Sequence, residues 1–443
     1  MASRAQRFVD AARSNVPEGT YAVGVGLLIA GVTAYGFQLL ANHRLEKLHY
    51  AALNSLWAVV FVVTPGLFQP LEQEVARAVA HRRARGIGGG PLVKRAGVLG
   101  AVLAAGSVVL ALVFEHPIVH TLFHGQGLLL ISLVAAIVCY FFAFITRGAL
   151  SGNGRFGAYG LMHGSEGMTR ILACGVLFVI GSHSTSWYGL ALALPPAVAV
   201  LVSLRGQRGL LTPGPTAPYS ELSSALGLLL LGSVLAQALS YAAFLAATIL
   251  AKTHVQKDAL SGFISAIFIA RIPILLFAAV QAALLPKLAA LASAGRHNEF
   301  LSGIRRLLVI VVAVGVIGVV GSATVGPTIG KKLFDNWTLD GFNLAMLAAG
   351  SGAFILALTL NQGLIALESY TRAAAAWVVG VVVFLVTLAV GNELFLRCEL
   401  AYLLGSLTAA AVMAAFLFGQ MSRGATGDLA TLVGLIQHEP LEI

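Results

Sequence analysis

The sharpest chemical feature of the sequence is an arginine inside an apolar run. Arg271 lies in the stretch FIARIPILLF, two residues before Pro273. A charge at the centre of a membrane helix costs about 2.5–3.5 kcal/mol on insertion scales, so a hydrated cavity, an acid or an anionic ligand has to compensate it. Pro273 also frees a backbone carbonyl one turn earlier, which favours a wet or protein-lined position. Arginine suits an anion because its planar fork stays charged and binds oxygens in pairs. Contact with an anion is the expected chemistry, and a structural ion pair is the alternative. A second constellation holds Glu166 and Arg170, one helical turn apart, with His163 on the same face. Such a pair can neutralise itself and stabilise a bundle, or serve a substrate through Arg170. It can also move protons, with Glu166 as the switch and His163 as a relay. A third is Glu72, Glu74 and Arg77, which precede the basic cluster Arg82, Arg83 and Arg85. These three can gate against Lys287, Arg305 or Arg306, or simply extend a solvated amphipathic helix.

The elements that position these residues are membrane helices. The chain has 443 residues, 58% of them hydrophobic and 10% charged, with a mean hydropathy of +0.88. A soluble domain carries about 25% charged residues. Apolar runs of about 20 residues recur, each long enough to cross about 30 Å of hydrocarbon. In lipid every backbone polar group needs an internal partner, so the runs are expected to be helices. The alternating ten-residue strands of a barrel are absent. The expected fold is an all-α integral membrane protein of about twelve spans: 20–41, 49–69, 96–114, 127–147, 160–181, 186–203, 222–249, 259–283, 307–326, 342–365, 373–390 and 399–419.

Two halves are expected. Arg205–Ser220 is the richest in Pro and Gly of the segments between spans and reads as a linker. Phe68–Ala80 aligns with Val280–Ala292 at an offset of 212, pairing Gln69 with Gln281, and Pro65 upstream has a near-counterpart in Pro273. Six spans per half gives equivalent spans one orientation, so the repeat is parallel. The expected domains are 1–210 and 211–443. Spans one, two, seven and eight carry Gln38, Asn54, Gln69, Gln237, Tyr241, Arg271 and Gln281, and are expected to line a shared cavity; spans three, six, nine and twelve read as nearly all apolar.

With the N-terminus inside, nineteen Lys/Arg fall in inner segments and seven in outer loops, which predicts both termini in the cytoplasm. The net charge of +10 then reflects topology and contact with anionic membrane lipids rather than nucleic acid. No cleavable signal peptide is visible, because the first nineteen residues are polar and basic. Cys139, Cys174 and Cys398 have no redox or metal spacing. His116, His120 and His124 are four apart, but Pro117 is expected to interrupt the helix that would align them, so no metal site is assigned. Gly86–Gly90 follows no strand and is not a nucleotide loop. No cofactor and no enzyme activity are expected.

Twelve spans, two parallel halves, this pattern of cavity polarity and the segments Val62–Arg85 and Thr146–Arg170 resemble the polysaccharide/oligosaccharide flippases of the multidrug/oligosaccharidyl-lipid/polysaccharide exporter superfamily. The resemblance implies two six-helix lobes around a V-shaped cavity, working by alternating access. It implies a polyprenyl-pyrophosphate-linked oligosaccharide moved from the cytoplasmic to the outer leaflet of a bacterial inner membrane, and a possible polymerase or glycosyltransferase partner. Arg271 would meet the pyrophosphate, and Arg170 is a second such residue. Moving two negative charges out of a negative interior is favoured by about 4.6 kcal/mol per 100 mV. The alternatives are a cation-coupled multidrug exporter of the same superfamily, a lipid II-type flippase, which usually has fourteen spans, and an integral-membrane glycosyltransferase or scaffold.

Overall fold

A computed structural model describes residues 20–437, apart from 223–224, 275–276, 278–290, 292–295, 335–336 and 338. The regular secondary structure of the described residues is all helical. In chain order the helices are α1 (Thr20–Asn42), α2 (Lys47–Ala84), α3 (Gly90–Val113), α4 (Leu128–Gly152), α5 (Phe156–Val179), α6 (Thr185–Ala193) and α7 (Pro195–Leu204). They continue with α8 (Leu226–Leu250), α9 (His254–Ala270), α10 (His297–Thr324), α11 (Gly326–Leu333), α12 (Gly341–Ala366), α13 (Tyr370–Ala389) and α14 (Leu394–Gln437).

Ten spans among the described residues are long and apolar enough to cross a membrane, with α6 and α7 together making one. α5 and α9 stand where the fifth and eighth spans are expected. α5 is more polar because it carries His163, Glu166 and Arg170, and α9 has only 17 residues before Arg271. α2 runs unbroken for 38 residues through Pro65 and Pro70 and carries the charged stretch Glu72–Arg83 as a helix. The sixth span divides at Pro195-Pro196, where the missing N–H groups end one helix and start the next. α9 begins with a capping box: the Thr253 hydroxyl accepts from the Gln256 N–H at 3.2 Å, and the Gln256 side chain accepts from the Thr253 N–H. Asp340 caps α12 by accepting from the Asn343 N–H at 3.0 Å.

α1 packs along α5, and α2 along α4; α12 packs along α14 and α10, and α13 along α14. α2 also packs along α8 and against α9, bringing the N-terminal and C-terminal helices together. From Tyr50 to Ala58 every residue of α2 is buried, and from Leu260 to Ile267 every residue of α9 is buried. Helices with no exposed face form the middle of an assembly. Beyond Phe61 α2 alternates buried with half-buried positions as far as Pro70, and from Leu71 to Arg82 exposed positions recur, so it is less enclosed there. Gly66 lets α2 approach α8 closely, since a Cβ there would lie 3.2 Å from the Val234 Cα.

The α1–α5 contact depends on small residues, which let membrane helices approach backbone to backbone. A Cβ at Gly160 would overlap the Ala22 carbonyl, and one at Gly26 would overlap the Gly160 carbonyl. Gly160→Leu is therefore expected to lower stability by about 1–3 kcal/mol or more through overpacking. Gly175→Ala, on the same helix with nothing within 4 Å of its Cβ position, serves as the near-neutral comparison. Thermal unfolding of the two detergent-purified variants checks the difference; equal melting would contradict the close packing.

Candidate functional site

Two polar clusters occupy the interior, one on α4 and α5 and one at the end of α9. The first is built on α4 and α5. The pairing that the Glu166–Arg170 spacing allows is present, with Arg170 Nη2 on Glu166 Oε1 at 2.5 Å. Arg147 of α4 binds the other carboxylate oxygen, and the Tyr140 hydroxyl donates to Glu166 at 2.8 Å. Arg147, Glu166 and Arg170 are all buried. Glu72 of α2 accepts from the Tyr159 hydroxyl at 2.8 Å and lies within electrostatic reach of Arg147. Two guanidiniums and two carboxylates are thus drawn together, and the cluster balances its own charge. Removing one partner from such a group typically costs about 3–5 kcal/mol. His163 stacks edge-on to Tyr159, with ring centroids 5.0 Å apart, and its Nε2 has no partner.

The sequence reading ended the fourth span at Arg147 and gave that residue no part in a site. α4 continues to Gly152, so Arg147 lies inside it. Arg170 also lies 5.6 Å from the ring of Trp57, which stacks on Phe61 at 4.9 Å and meets Phe268 of α9 at 6.1 Å. A second contact joins α1 and α9 here: the Tyr35 hydroxyl donates to the Phe268 carbonyl at 3.0 Å.

The second cluster surrounds Arg271, three residues beyond Phe268. Pro273 has no N–H to continue the helical ladder, and α9 ends at Ala270, with helical geometry resuming at Ile272 after the break at Arg271. Arg271 caps that C-terminus, where free carbonyls favour a cation. Its guanidinium donates to the Ser240 hydroxyl at 2.8 Å and lies 3.9 Å from the Tyr241 ring centroid. Arg271, Ser240, Ser351 and Tyr402 line a cavity of about 10 Å³, the size of one water molecule. Tyr35 and Tyr402 lie within its electrostatic reach. Among the described residues no carboxylate pairs with Arg271. Hydroxyls and an aromatic face leave its positive charge uncancelled, which is a setting for an anion. A larger cavity of about 280 Å³ lies between α2, α3, α4 and Val234 of α8, with an almost wholly apolar lining.

The remaining expected site residues fall around these clusters. Tyr241 stands beside Arg271. Gln38 is buried with neither amide atom partnered. The buried Asn54 donates to the Tyr50 carbonyl of its own helix at 2.8 Å. Gln69 and Gln237 are half-buried, on α2 and α8. Gln281 and Lys287 lie outside the described residues. Arg77 donates to Glu74 at 2.8 Å and to the Glu221 carbonyl at 3.0 Å, while Arg305 and Arg306 are exposed.

Two further expectations change. Pro117 does not break the chain of turns: Glu115–Pro117 passes into a π turn, Ile118–Leu122, and the His116 and His120 rings meet with centroids 4.4 Å apart. The twelfth span is not purely apolar, because α14 starts at Leu394 and buries Glu399 completely.

The segment expected to link two halves is docked rather than loose. Arg82 is buried and binds both carboxylate oxygens of Glu221, at 2.6 and 2.8 Å, as well as the carbonyls of Gly88 and Pro215. The glycines of Gly86–Gly90 serve this contact: the Gly90 N–H donates to the Thr212 carbonyl at 2.9 Å, and a Cβ at Gly88 would overlap the Pro213 carbonyl. The Arg82 hydrogen bond holds the Glu221 carboxyl below its ordinary 4.5. A group with a depressed native value stabilises the fold above its unfolded value and loses that contribution as pH falls. The clasp is thus expected to be complete above about 4.5 and to weaken in stronger acid. Limited proteolysis of residues 206–218 as a function of pH reads this; an equal acid response in Arg82→Ala and the parent protein would contradict it.

No protein-family profile and no curated protein sequence matches the chain. Solved structures do. An outward-facing multidrug-resistance MATE family transporter of the MOP superfamily superposes with a TM-score of 0.71 at 13% identity, over 91% of this chain and 95% of that one. A MATE transporter of Vibrio cholerae, VcmN, gives 0.67 at 13% identity over 91% and 96%. A MATE structure in the bent conformation gives 0.65 at 16% identity over 93% and 96%. The chain has the MATE transporter fold. Identities this low establish the fold alone, and the chemistry has to come from this chain's own clusters.

Proposed function

We propose that this chain is a membrane transporter that works by alternating access between an N-terminal lobe, residues 1–210, and a C-terminal lobe, residues 211–443. Its substrate presents an anionic group to Arg271. The observation that carries this reading is the guanidinium at the end of α9, flanked by Ser240 and Tyr241 and by no carboxylate among the described residues. A polyprenyl-pyrophosphate-linked oligosaccharide fits best. Its pyrophosphate suits an arginine fork. Its prenyl chain suits the apolar 280 Å³ cavity, and its sugars suit amides such as Gln38, Gln69, Gln237 and Gln281. All-round burial of α2 and α9 near Tyr50 and Leu260 supports a closed end there. The less enclosed Arg82 end, flanked by Glu72, Glu74 and Arg77, then serves as the entrance, on the cytoplasmic side of a bacterial inner membrane.

Drug export coupled to a cation is the second reading, and the likeness to MATE structures favours it. Binding separates the two. In detergent, a short-chain polyprenyl diphosphate is expected to raise the melting temperature of the protein and to do so far less for Arg271→Ala. A cationic drug that stabilises both proteins equally, with no response to the diphosphate, would decide for the exporter.

A further inference from the structure

Glu399 has no part in the reading above, yet among the described residues it is a fully buried acid without a partner. It lies in the first turns of α14 and is 0% exposed. Neither carboxylate oxygen has a hydrogen-bond partner. Among the described residues no cation pairs with it, in contrast to Glu166, whose two oxygens take two arginines and a tyrosine. Tyr402 and Ser406 follow at the spacing that puts them on the same face of the helix; both are buried, Tyr402 interacts with Ser351, and the Ser406 hydroxyl is unpartnered among the described residues. Tyr402 in turn lines the small cavity at Arg271. A polar track thus leads from Glu399 along α14 toward the anion site.

Few charges surround it. The helices packed on α14 are α12, α13 and α8. α12 holds no titratable side chain, α8 holds Tyr241, and α13 holds Tyr370 and Arg372, with Arg372 on Gln420 toward the opposite end of α14. α9 approaches through Phe263, whose ring centroid is 4.8 Å from that of Phe395; its charges, Lys257 and Asp258, and its His254 lie in its first turns. Asp340, the cap of α12, is close enough to act electrostatically on Glu399 and has the same sign. Arg397 is on the same helix, and its buried Nε is unpartnered.

An ionised carboxylate taken from water without a partner is far more costly than a neutral carboxyl group. Burial of Glu399 and its ionisation therefore exclude one another. We propose that Glu399 is a proton-binding site, loaded in this conformation and unloaded to water when α14 separates from its neighbours. The step is simple acid dissociation, in which the carboxyl O–H bond breaks and the proton passes to solvent. Because the packed and separated arrangements differ in proton affinity, proton binding biases the conformational equilibrium, and conformational change moves a proton. This supplies an ion-coupling site on the C-terminal helices, and it stands on burial and partners whatever the substrate.

Infrared difference spectroscopy of the purified full chain in lipid, perfused between alkaline and acidic buffers, reads the protonated carboxyl directly. A carboxyl C=O band that persists at neutral pH and is lost in Glu399→Gln is expected, together with a displaced band in Glu399→Asp. No such band in the parent protein, or an unchanged band in either variant, overturns the proposal. If Glu399→Gln fails to fold, Glu399→Asp decides on the same criterion. Loss of the band on adding sodium at constant pH would assign the site to a metal cation and overturn the proton assignment. Failure of the flippase reading would leave the band in place, so the two claims fail separately.

Discussion

Arg271→Ala is expected to reduce transport by about 10–100-fold while protein abundance stays at the parent level. The size follows from losing one or more hydrogen bonds to a charged group, each worth about 1.5–3 kcal/mol, at about 1.4 kcal/mol per factor of ten. Abundance is expected to hold because Arg271 is half-buried and its side chain makes one hydrogen bond among the described residues, to Ser240. Removing a membrane-central charge also relieves its insertion cost, so the variant has no reason to fold poorly. Arg271→Lys is expected to fall between, because it keeps the charge but loses the planar fork. Complementation of a depletion strain, with immunoblots for abundance, checks all three proteins. Full activity of Arg271→Ala would remove the anion site.

Arg147→Ala is expected to do the opposite, lowering abundance and stability before any specific effect on transport. Arg147 is buried against Glu166 and Glu72, and its loss leaves excess negative charge where water cannot reach. Breaking a buried ion pair from one side costs about 3–5 kcal/mol. Glu166→Gln is expected to cost at least as much, since it strands both Arg147 and Arg170. Melting temperature and monodispersity in detergent measure these effects. A well-folded, inactive Glu166→Gln protein would contradict the structural role and return Glu166 to proton transfer, with His163 beside it.

The contrast between the two clusters explains how far the sequence could be read. Helical content and the positions of the spans follow from hydropathy, because lipid leaves a helix no alternative way to satisfy its backbone. Arg271 was legible because a lone charge in an apolar run has only a few explanations. Arg147 was not, because its run ends in TRGALSGNG, which looks like a loop; only packing on α5 and α2 carries the helix on to Gly152. Glu399 was missed for a similar reason. It sits at the edge of an apolar segment, and five further residues of helix, from Leu394, place it inside. Glu72 stood out as a charge near a helix end, but its partner, Tyr159, is 87 residues away and could not be paired with it from spacing. Contacts within one helix are visible in a sequence; contacts between helices require the fold.

Depletion of the protein followed by analysis of lipid-linked intermediates tests the central claim most directly. Accumulation of one polyprenyl-pyrophosphate-linked glycan, protected on the cytoplasmic leaflet, is the expected result. Unchanged intermediates together with altered drug sensitivity would contradict the flippase reading and leave drug export in its place.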